Sequence, residues 1–60
     1  MDRIYTERKA REEAIICSNL YGGVWCVLKY ETYWDVQKKN NIFKSHLSLV
    51  VEEYGNYLTN

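Results

Sequence analysis

Val24-Trp25-Cys26-Val27-Leu28-Lys29-Tyr30 is the stretch that decides the fold. Its residues are mostly β-branched, aromatic or aliphatic, and Gly22-Gly23 marks a turn before it, so it predicts a β-strand. A second stretch of the same character, Tyr33-Trp34-Asp35-Val36, follows after only two residues. The pair therefore predicts a hairpin, with the first stretch as the central strand of a small sheet.

A tight connection at Glu31-Thr32 would set the register of this hairpin. It would place Val27 opposite Val36 and Lys29 opposite Trp34. One face then carries Trp25, Val27, Trp34 and Val36, and we expect it to pack on a helix. The other face carries Cys26, Leu28, Tyr30, Tyr33 and Asp35, and is too apolar for ordinary solvent-facing surface. Because Glu-Thr is a poor type I′ pair, a longer loop and a slipped register stay open.

The segment before this strand predicts a helix from about Thr6 to Tyr21, with Thr6 as its N-cap and Gly22-Gly23 as its C-cap. Its solvated face has opposite charges four residues apart in the pairs Glu7–Arg11, Arg8–Glu12 and Lys9–Glu13. Its predicted buried stripe is Ala10, Ala14, Cys17 and Tyr21, flanked by Ile16 and Leu20. Ile15 falls on the other side, so we predict that it contacts a partner.

Residues 42–54 fit two structures. As a helix they have apolar residues at good spacing, with Asn41 as a cap and Gly55 just past the end. As a strand they have Leu47, Leu49 and Val51 in alternation. A two-stranded hairpin is marginal alone, and Glu52-Glu53 suit a helix C-terminus badly, so the strand is favoured. We predict a helical turn near residues 39–45, a third strand over about 47–54, and a turn or frayed end after it.

The predicted fold is therefore α+β, with one N-terminal helix packed on an antiparallel sheet of three strands. The alternative is a helix, a two-stranded hairpin and a C-terminal helix. Residues 1–60 form one domain, and a domain of this size has only ~3–5 kcal/mol of net stability. Self-association or binding to a larger protein would supplement that stability, so the sequence predicts a homodimer or higher homo-oligomer.

Charge and composition exclude several classes of protein. The 8 basic and 8 acidic residues cancel, which removes the electrostatic attraction that non-specific nucleic-acid binding needs. Apolar residues make up 47% of the chain without any long apolar run, so neither disorder nor a membrane span is expected. No apolar block with a cleavage signal follows the charged N-terminus, which predicts a cytoplasmic protein.

The residues that usually carry chemistry are present but badly spaced for it. Cys17, Cys26 and His46 lack the short ligand spacing of a structural zinc site. Cys26 lies in a predicted strand and Cys17 on the predicted buried stripe, which argues against a thiol nucleophile. We therefore predict a protein that is not an enzyme and has no metal or cofactor.

Aromatic residues are the most unusual feature of the chain, with six tyrosines and two tryptophans in 60 residues. Some of them would build the core. The others would form an exposed patch that binds a partner, because Tyr and Trp dominate the hot spots of protein interfaces. The predicted partner-binding residues are Leu28, Tyr30, Tyr33, Tyr54 and Tyr57, together with Ile15. A sheet face of this kind could instead stack single-stranded bases, but nucleic acid is the less favoured partner because no basic rim is present.

The order of these segments resembles the short accessory proteins of tailed bacteriophages. The resemblance lies in Arg11-Glu12-Glu13-Ala14, Gly22-Gly23-Val24-Trp25-Cys26-Val27, Tyr33-Trp34-Asp35-Val36 and Leu47-Ser48-Leu49-Val50-Val51. It implies a protein that binds and diverts a host protein, including components of bacterial immune systems. The leading hypothesis is accordingly a phage-encoded inhibitor or modulator that acts by steric occlusion through the aromatic sheet face. The alternatives are a small single-stranded nucleic-acid or nucleotide-binding protein and an obligate homo-oligomer.

Overall fold

One helix lies on one face of a three-stranded antiparallel sheet in this computed structural model, which describes residues 3–55. The helix is α1 (Glu7–Tyr21) and the strands are β1 (Val24–Lys29), β2 (Trp34–Lys38) and β3 (Val50–Gly55). Two 3₁₀ helices, Lys39–Asn41 and Lys44–Leu49, connect β2 to β3. The strand order is β2-β1-β3, so β1 is central as predicted. The α+β fold predicted from the sequence is therefore confirmed.

Helix α1 begins and ends where its caps predict. The Thr6 side chain accepts a hydrogen bond from the Lys9 backbone N–H at 3.2 Å. At the other end Gly22 has a φ of 72°, and its N–H donates to the Ser18 carbonyl at 3.0 Å. A glycine with positive φ at this position directs the chain away from the helix axis, and its N–H satisfies a free carbonyl of the last turn.

The hairpin between β1 and β2 has the predicted register, in which Val27 pairs with Val36 and Lys29 with Trp34. The Tyr30 N–H donates to the Tyr33 carbonyl at 2.9 Å, which leaves Glu31-Thr32 as the tip. Among the described residues only glycines have positive φ, so this tip is not a type I′ turn.

The third strand exists but starts later than predicted. The second 3₁₀ helix continues to Leu49, so β3 begins at Val50 rather than near residue 47. The alternative C-terminal helix is thus wrong. A register shift between Val27 and Leu28 interrupts the pairing of β1 with β3. Gly55 pairs with Val24 as the last residue of β3, so the strand includes the first two residues of the turn or frayed end predicted over 54–57, and the other two lie outside the described residues.

The core lies between α1 and the sheet, on the face predicted for it. Ala10, Ala14 and Val27 are completely buried there. Around them pack the partly buried side chains of Ile4, Trp25, Trp34, Val36 and Tyr54. Alanines at the two central helix positions let the helix backbone approach the sheet closely.

Tyr21 of the predicted buried stripe is exposed, and so are the two residues predicted to flank the stripe, Ile16 and Leu20, whereas Cys17 is half-buried. Ile16 is 50% exposed, Leu20 69% and Tyr21 68%. With 3.6 residues per turn, Ile16 lies about 160° around the helix from Ala14 and Leu20 about 120°, so one sheet cannot cover them. Tyr21 lies on the stripe but is the last residue of the helix, where its ring centroid lies 5.9 Å from that of Trp25 at the border of the core.

Candidate functional site

Leu28 does not lie on the surface, which corrects its prediction as a partner-binding residue. Its side chain is 1% exposed. The chain between β2 and β3 crosses this face of the sheet, and Ile42, Phe43 and His46 line the same groove as Leu28. A partner of the folded protein therefore cannot contact Leu28 as the centre of an exposed patch.

Tyr54 is separated from the other predicted tyrosines by the thickness of the sheet. It pairs with Trp25 in the sheet register and packs against the helix-facing core. Tyr30 and Tyr33 lie at the end of the hairpin instead. Tyr57 lies outside the described residues, and Ile15 is 40% exposed on α1. The predicted single patch is thus divided between the two faces of the sheet and the helix.

Four rings do come together, and we call Tyr30, Tyr33, Phe43 and His46 the aromatic cluster. Tyr30 and Tyr33 stack with their centroids 4.7 Å apart and an interplanar angle of 8°. His46 meets Tyr30 edge-on at 6.2 Å and Phe43 edge-on at 5.9 Å. Offset-stacked and edge-to-face pairs are the favoured arrangements of aromatic side chains. Each ring therefore restricts the motion of its neighbour before any partner arrives.

Arg3 covers the outer side of this cluster. Its guanidinium carbon lies 4.5 Å from the centroid of the Tyr33 ring, within the range of a cation–π contact. Tyr33 is thus stacked on Tyr30 and also covered by Arg3. Its ring is not an open platform on which a further planar group could stack.

Phe43 and Leu47 are the exposed part of this surface. Phe43 is 73% exposed and Leu47 50%, whereas Tyr30, Tyr33 and His46 are half-buried. Phe43, His46 and Leu47 are not among the partner-binding residues predicted from the sequence. The available signal was their spacing of three and four residues, which places them on one side of a helical segment.

A groove of about 240 Å³ opens beside the aromatic cluster. Leu28 and Ile42 are its apolar residues from the sheet and the connection, and Tyr30, Phe43 and His46 contribute rings. Its polar side chains are Asp35, Gln37 and Asn41. Desolvation raises the pKa of Tyr30, and the nearby Asp35 and Tyr33 act in the same direction, so this hydroxyl is neutral at physiological pH.

Asp35 is held in place by its own strand. One carboxylate oxygen accepts the Val36 backbone N–H at 2.8 Å, and the other accepts the Gln37 side-chain N–H at 3.0 Å. Each carboxylate oxygen has two lone pairs. The orientation of the carboxylate is therefore set while further acceptor capacity remains.

A polar network on the opposite face ties α1 to β3. Arg11 makes two hydrogen bonds to Glu52, at 3.1 Å from Nε and 2.8 Å from a terminal nitrogen. The Tyr54 hydroxyl also hydrogen-bonds to Glu52, and Glu7 bridges to Arg11. The hydrogen bond from Arg11, followed by that from Tyr54, lowers the pKa of Glu52. Since both partners of the Arg11–Glu52 pair belong to packed elements, we assign this network to stability and not to a reaction.

The two cysteines have the environment of structural thiols. Cys26 is buried, and its pKa is raised first by desolvation and then by Glu53. Cys17 is half-buried, and desolvation followed by Glu13 raises its pKa as well. Both effects disfavour the thiolate, which is the nucleophilic form. Within residues 3–55 no group of three or more His, Cys, Asp or Glu side chains could hold a metal ion.

Comparison with models of protein families, with curated proteins and with solved structures found no match for this chain. Its class is therefore defined by the fold, a small α+β protein with one helix on an antiparallel sheet. The described part contains no helix that is both long enough and apolar enough to cross a membrane.

Proposed function

We propose that this chain is a non-enzymatic protein-binding module that uses the aromatic cluster together with Leu47 as its contact surface. The observation that carries the proposal is Phe43, an aromatic side chain 73% exposed on a base of rings that contact one another. Large aromatic side chains surrounded by ordered neighbours are typical hot spots of protein interfaces. Because the cluster is ordered in the free protein, less side-chain entropy is lost on binding.

The partner that we propose is a host protein, with this chain acting as a phage-encoded inhibitor or modulator in the host cytoplasm. This part of the proposal is supported by the resemblance of the sequence to phage accessory proteins. The mechanism is steric occlusion. A standard interface buries ~800 Å² of each partner, which is about a sixth of the 4732 Å² accessible surface of this chain. A contact centred on Phe43 would therefore engage a large part of this small protein and would block an equal area of its partner.

Capture from bacterial lysate tests the proposal with a matched pair of variants. Phe43→Ala removes the exposed ring, whereas Leu20→Ala removes a similarly exposed apolar side chain from α1. We expect one host protein to be captured by the wild type and by Leu20→Ala, also after nuclease treatment. For Phe43→Ala we expect an affinity about tenfold lower or weaker still, since hot-spot truncations cost more than about 1.4 kcal/mol.

Circular dichroism of both variants controls for unfolding. Equal capture by Phe43→Ala and the wild type would contradict the proposed surface. Capture that disappears after nuclease treatment would contradict a protein partner.

The nucleic-acid alternative loses support from the ring contacts. That alternative uses the tyrosines of the sheet for base stacking, which needs an accessible ring face, and Tyr33 has Tyr30 on one side and Arg3 close to its ring. The equal numbers of basic and acidic residues also give no general attraction to phosphate. Protein partners have neither requirement.

Self-association is the second candidate function, and a specific surface favours it. Ile16, Leu20 and Tyr21, which we call the helix patch, are all at least half exposed on the last turns of α1. Ile15 is 40% exposed on the same helix. Exposed apolar residues on neighbouring turns are the usual contact of paired helices. Leu28 cannot contribute to this contact because it is buried.

A further inference from the structure

We propose that the groove beside the aromatic cluster binds an arginine side chain of the partner, an inference that rests on the proposed protein-binding function. The groove lies between β1, β2 and the connection that follows β2, and its lining includes Tyr30 and Phe43 of the cluster. A partner that covers Phe43 would therefore also cover the mouth of this groove. Three properties of the groove select the occupant.

The first property is charge. Among the described residues that line the groove, Asp35 is the only carboxylate, and none is a lysine or an arginine. A carboxylate on the wall of a partly apolar groove favours a cationic occupant, because a neutral or anionic group would leave its charge without a partner as the interface closes. The occupant is therefore a basic side chain.

The second property is the geometry of Asp35. Its two oxygens each accept one internal hydrogen bond, from the Val36 N–H and from the Gln37 side chain. Each oxygen keeps a second lone pair, so the carboxylate can accept two parallel hydrogen bonds. Arginine offers this pair of donors in a rigid planar fork, whereas the lysine ammonium is a compact point charge.

The third property is the combination of size and lining. About 240 Å³ of space is below the roughly 300–1,000 Å³ of pockets for small molecules, so the groove suits one side chain. Ile42 would contact the methylene stem, and the rings of Tyr30 and Phe43 would lie beside the guanidinium. Guanidinium groups pack favourably on aromatic faces. Arginine is the side chain that fits the charge of the groove, the two acceptor positions of Asp35, and the size and lining of the groove.

Nuclear magnetic resonance titration of the ¹⁵N-labelled protein with N-acetyl-arginine methylamide tests this assignment without knowledge of the partner. The citrulline compound, acetylated on its α-nitrogen in the same way, is a neutral control of nearly equal shape. Nα-acetyl-lysine methylamide, whose side-chain ammonium is free, is the control for charge alone. We expect saturable shifts of the Leu28, Tyr30 and Asp35 amide signals with the arginine compound. We expect the lysine compound to bind at least fivefold more weakly and the citrulline compound not to bind. Shifts that are equal for arginine and citrulline, or that map away from the groove, would overturn the proposal. Equal binding of lysine and arginine would overturn the assignment to arginine.

Two variants provide a second test. Asp35→Asn removes the charge in the groove, and Glu31→Gln removes the same charge from the exposed hairpin tip. We expect Asp35→Asn to weaken arginine binding at least fivefold and Glu31→Gln to change it less than twofold. Equal effects of the two variants would show general charge attraction and reject the site. If host-protein capture depends on Phe43 but not on Asp35, the groove assignment fails while the proposed function stands. If capture does not depend on Phe43, the proposed contact surface fails, and if capture is lost after nuclease treatment, the proposed function fails, whatever the titration shows.

Discussion

Two glycines, one just before β1 and one at the end of β3, are required for different reasons. Gly22 has positive φ and open space around it, so only its backbone conformation requires glycine. Gly55 lies against the opposing strand, and a Cβ there would come within 2.5 Å of the Gly23 oxygen and 2.7 Å of the Val24 Cα. Contacts this short with backbone atoms cannot be relieved by moving a side chain. Gly55 is therefore the more constrained position.

We predict that Gly55→Ala destabilises the fold more than Gly22→Ala. The steric clash at Gly55 should lower the free energy of unfolding by about 3 kcal/mol. The backbone of Gly22, with φ 72° and ψ 176°, lies in a region that is essentially restricted to glycine, so alanine there should cost about 2 kcal/mol. Urea denaturation of both variants measures the difference. A larger loss for Gly22→Ala would show that β3 does not pack against β1 as described.

Glu52 should make the free energy of unfolding depend on pH. Its pKa is lowered in the folded protein, first by the hydrogen bond from Arg11. The folded state therefore binds a proton less readily than the unfolded state, so this contribution is present above the unfolded pKa. It is lost as the pH falls through the lowered folded pKa.

We predict that Glu52→Gln lowers the melting temperature at pH 7 and that the difference from the wild type shrinks below pH 4. Thermal denaturation at a series of pH values measures it. Glu12→Gln is the matched control, because Glu12 pairs with Arg8 on the exposed helix surface only. A difference between wild type and Glu52→Gln that is constant with pH would reject this role of Glu52.

The buried and the exposed side of helix α1 differ in how strictly they limit residue size. Ala10 and Ala14 are completely buried against Val27 of the sheet, whereas Ile16 and Leu20 are at least half exposed. Small residues on the packed side set the distance between helix and sheet. Residue size is therefore critical at Ala14 and of little consequence to folding at Leu20.

We predict opposite tolerance at these two helix positions. Ala14→Leu should destabilise the fold by about 1–3 kcal/mol because it overpacks a closed contact. Leu20→Ala should stay within about 0.5 kcal/mol, as is usual for surface substitutions. Chemical denaturation measures both, and a tolerated Ala14→Leu would contradict the tight helix contact.

The molecule as a whole has a small core and exposes apolar side chains on more than one side. Its fully buried apolar side chains in the described part are Ala10, Ala14, Cys26, Val27 and Leu28. The aromatic cluster and the helix patch both leave large side chains in solvent. A small domain buries too little surface to be very stable alone, so covering either surface would add stability. This is the physical link between the proposed binding function and self-association.

Self-association should depend on the helix patch. We predict that the weight-average mass of the wild type rises above 7.2 kDa with concentration. Leu20→Lys should remain a monomer, because a charge would be buried without a partner. Phe43→Lys should associate like the wild type. Sedimentation equilibrium measures all three, and a wild type that stays monomeric over a wide concentration range would end this second candidate.

Oligonucleotide binding should be weak. We predict that single-stranded DNA and RNA bind no tighter than the high micromolar range at physiological salt, because the Tyr33 ring is covered by Arg3 and the chain has no net charge. Fluorescence anisotropy with labelled oligonucleotides measures it. Sub-micromolar binding that is lost in Tyr33→Ala would instead favour the nucleic-acid alternative.

Local signals were sufficient to predict the elements and part of the site. Thr6 and Gly22 set the ends of α1 through hydrogen bonds within a few residues of themselves. The tight connection expected at Glu31-Thr32 predicted the hairpin register, which brings Tyr30 and Tyr33 together. Such features depend on side-chain period and turn residues, both of which can be read along the chain.

Which apolar surfaces are buried could not be predicted from the sequence, because burial depends on contacts between distant segments. Leu28 is buried because the connection after β2 lies over its face of the sheet, which also brings Phe43 and His46 to the tyrosines. The register shift leaves Val51 as an extra residue of β3 and places Val50 opposite Leu28, while Tyr54 lies on the helix side. A shift of one residue moves every later side chain to the opposite face. Sequence patterns therefore defined the strands and the helix, whereas long-range packing determined which of their side chains form the surface.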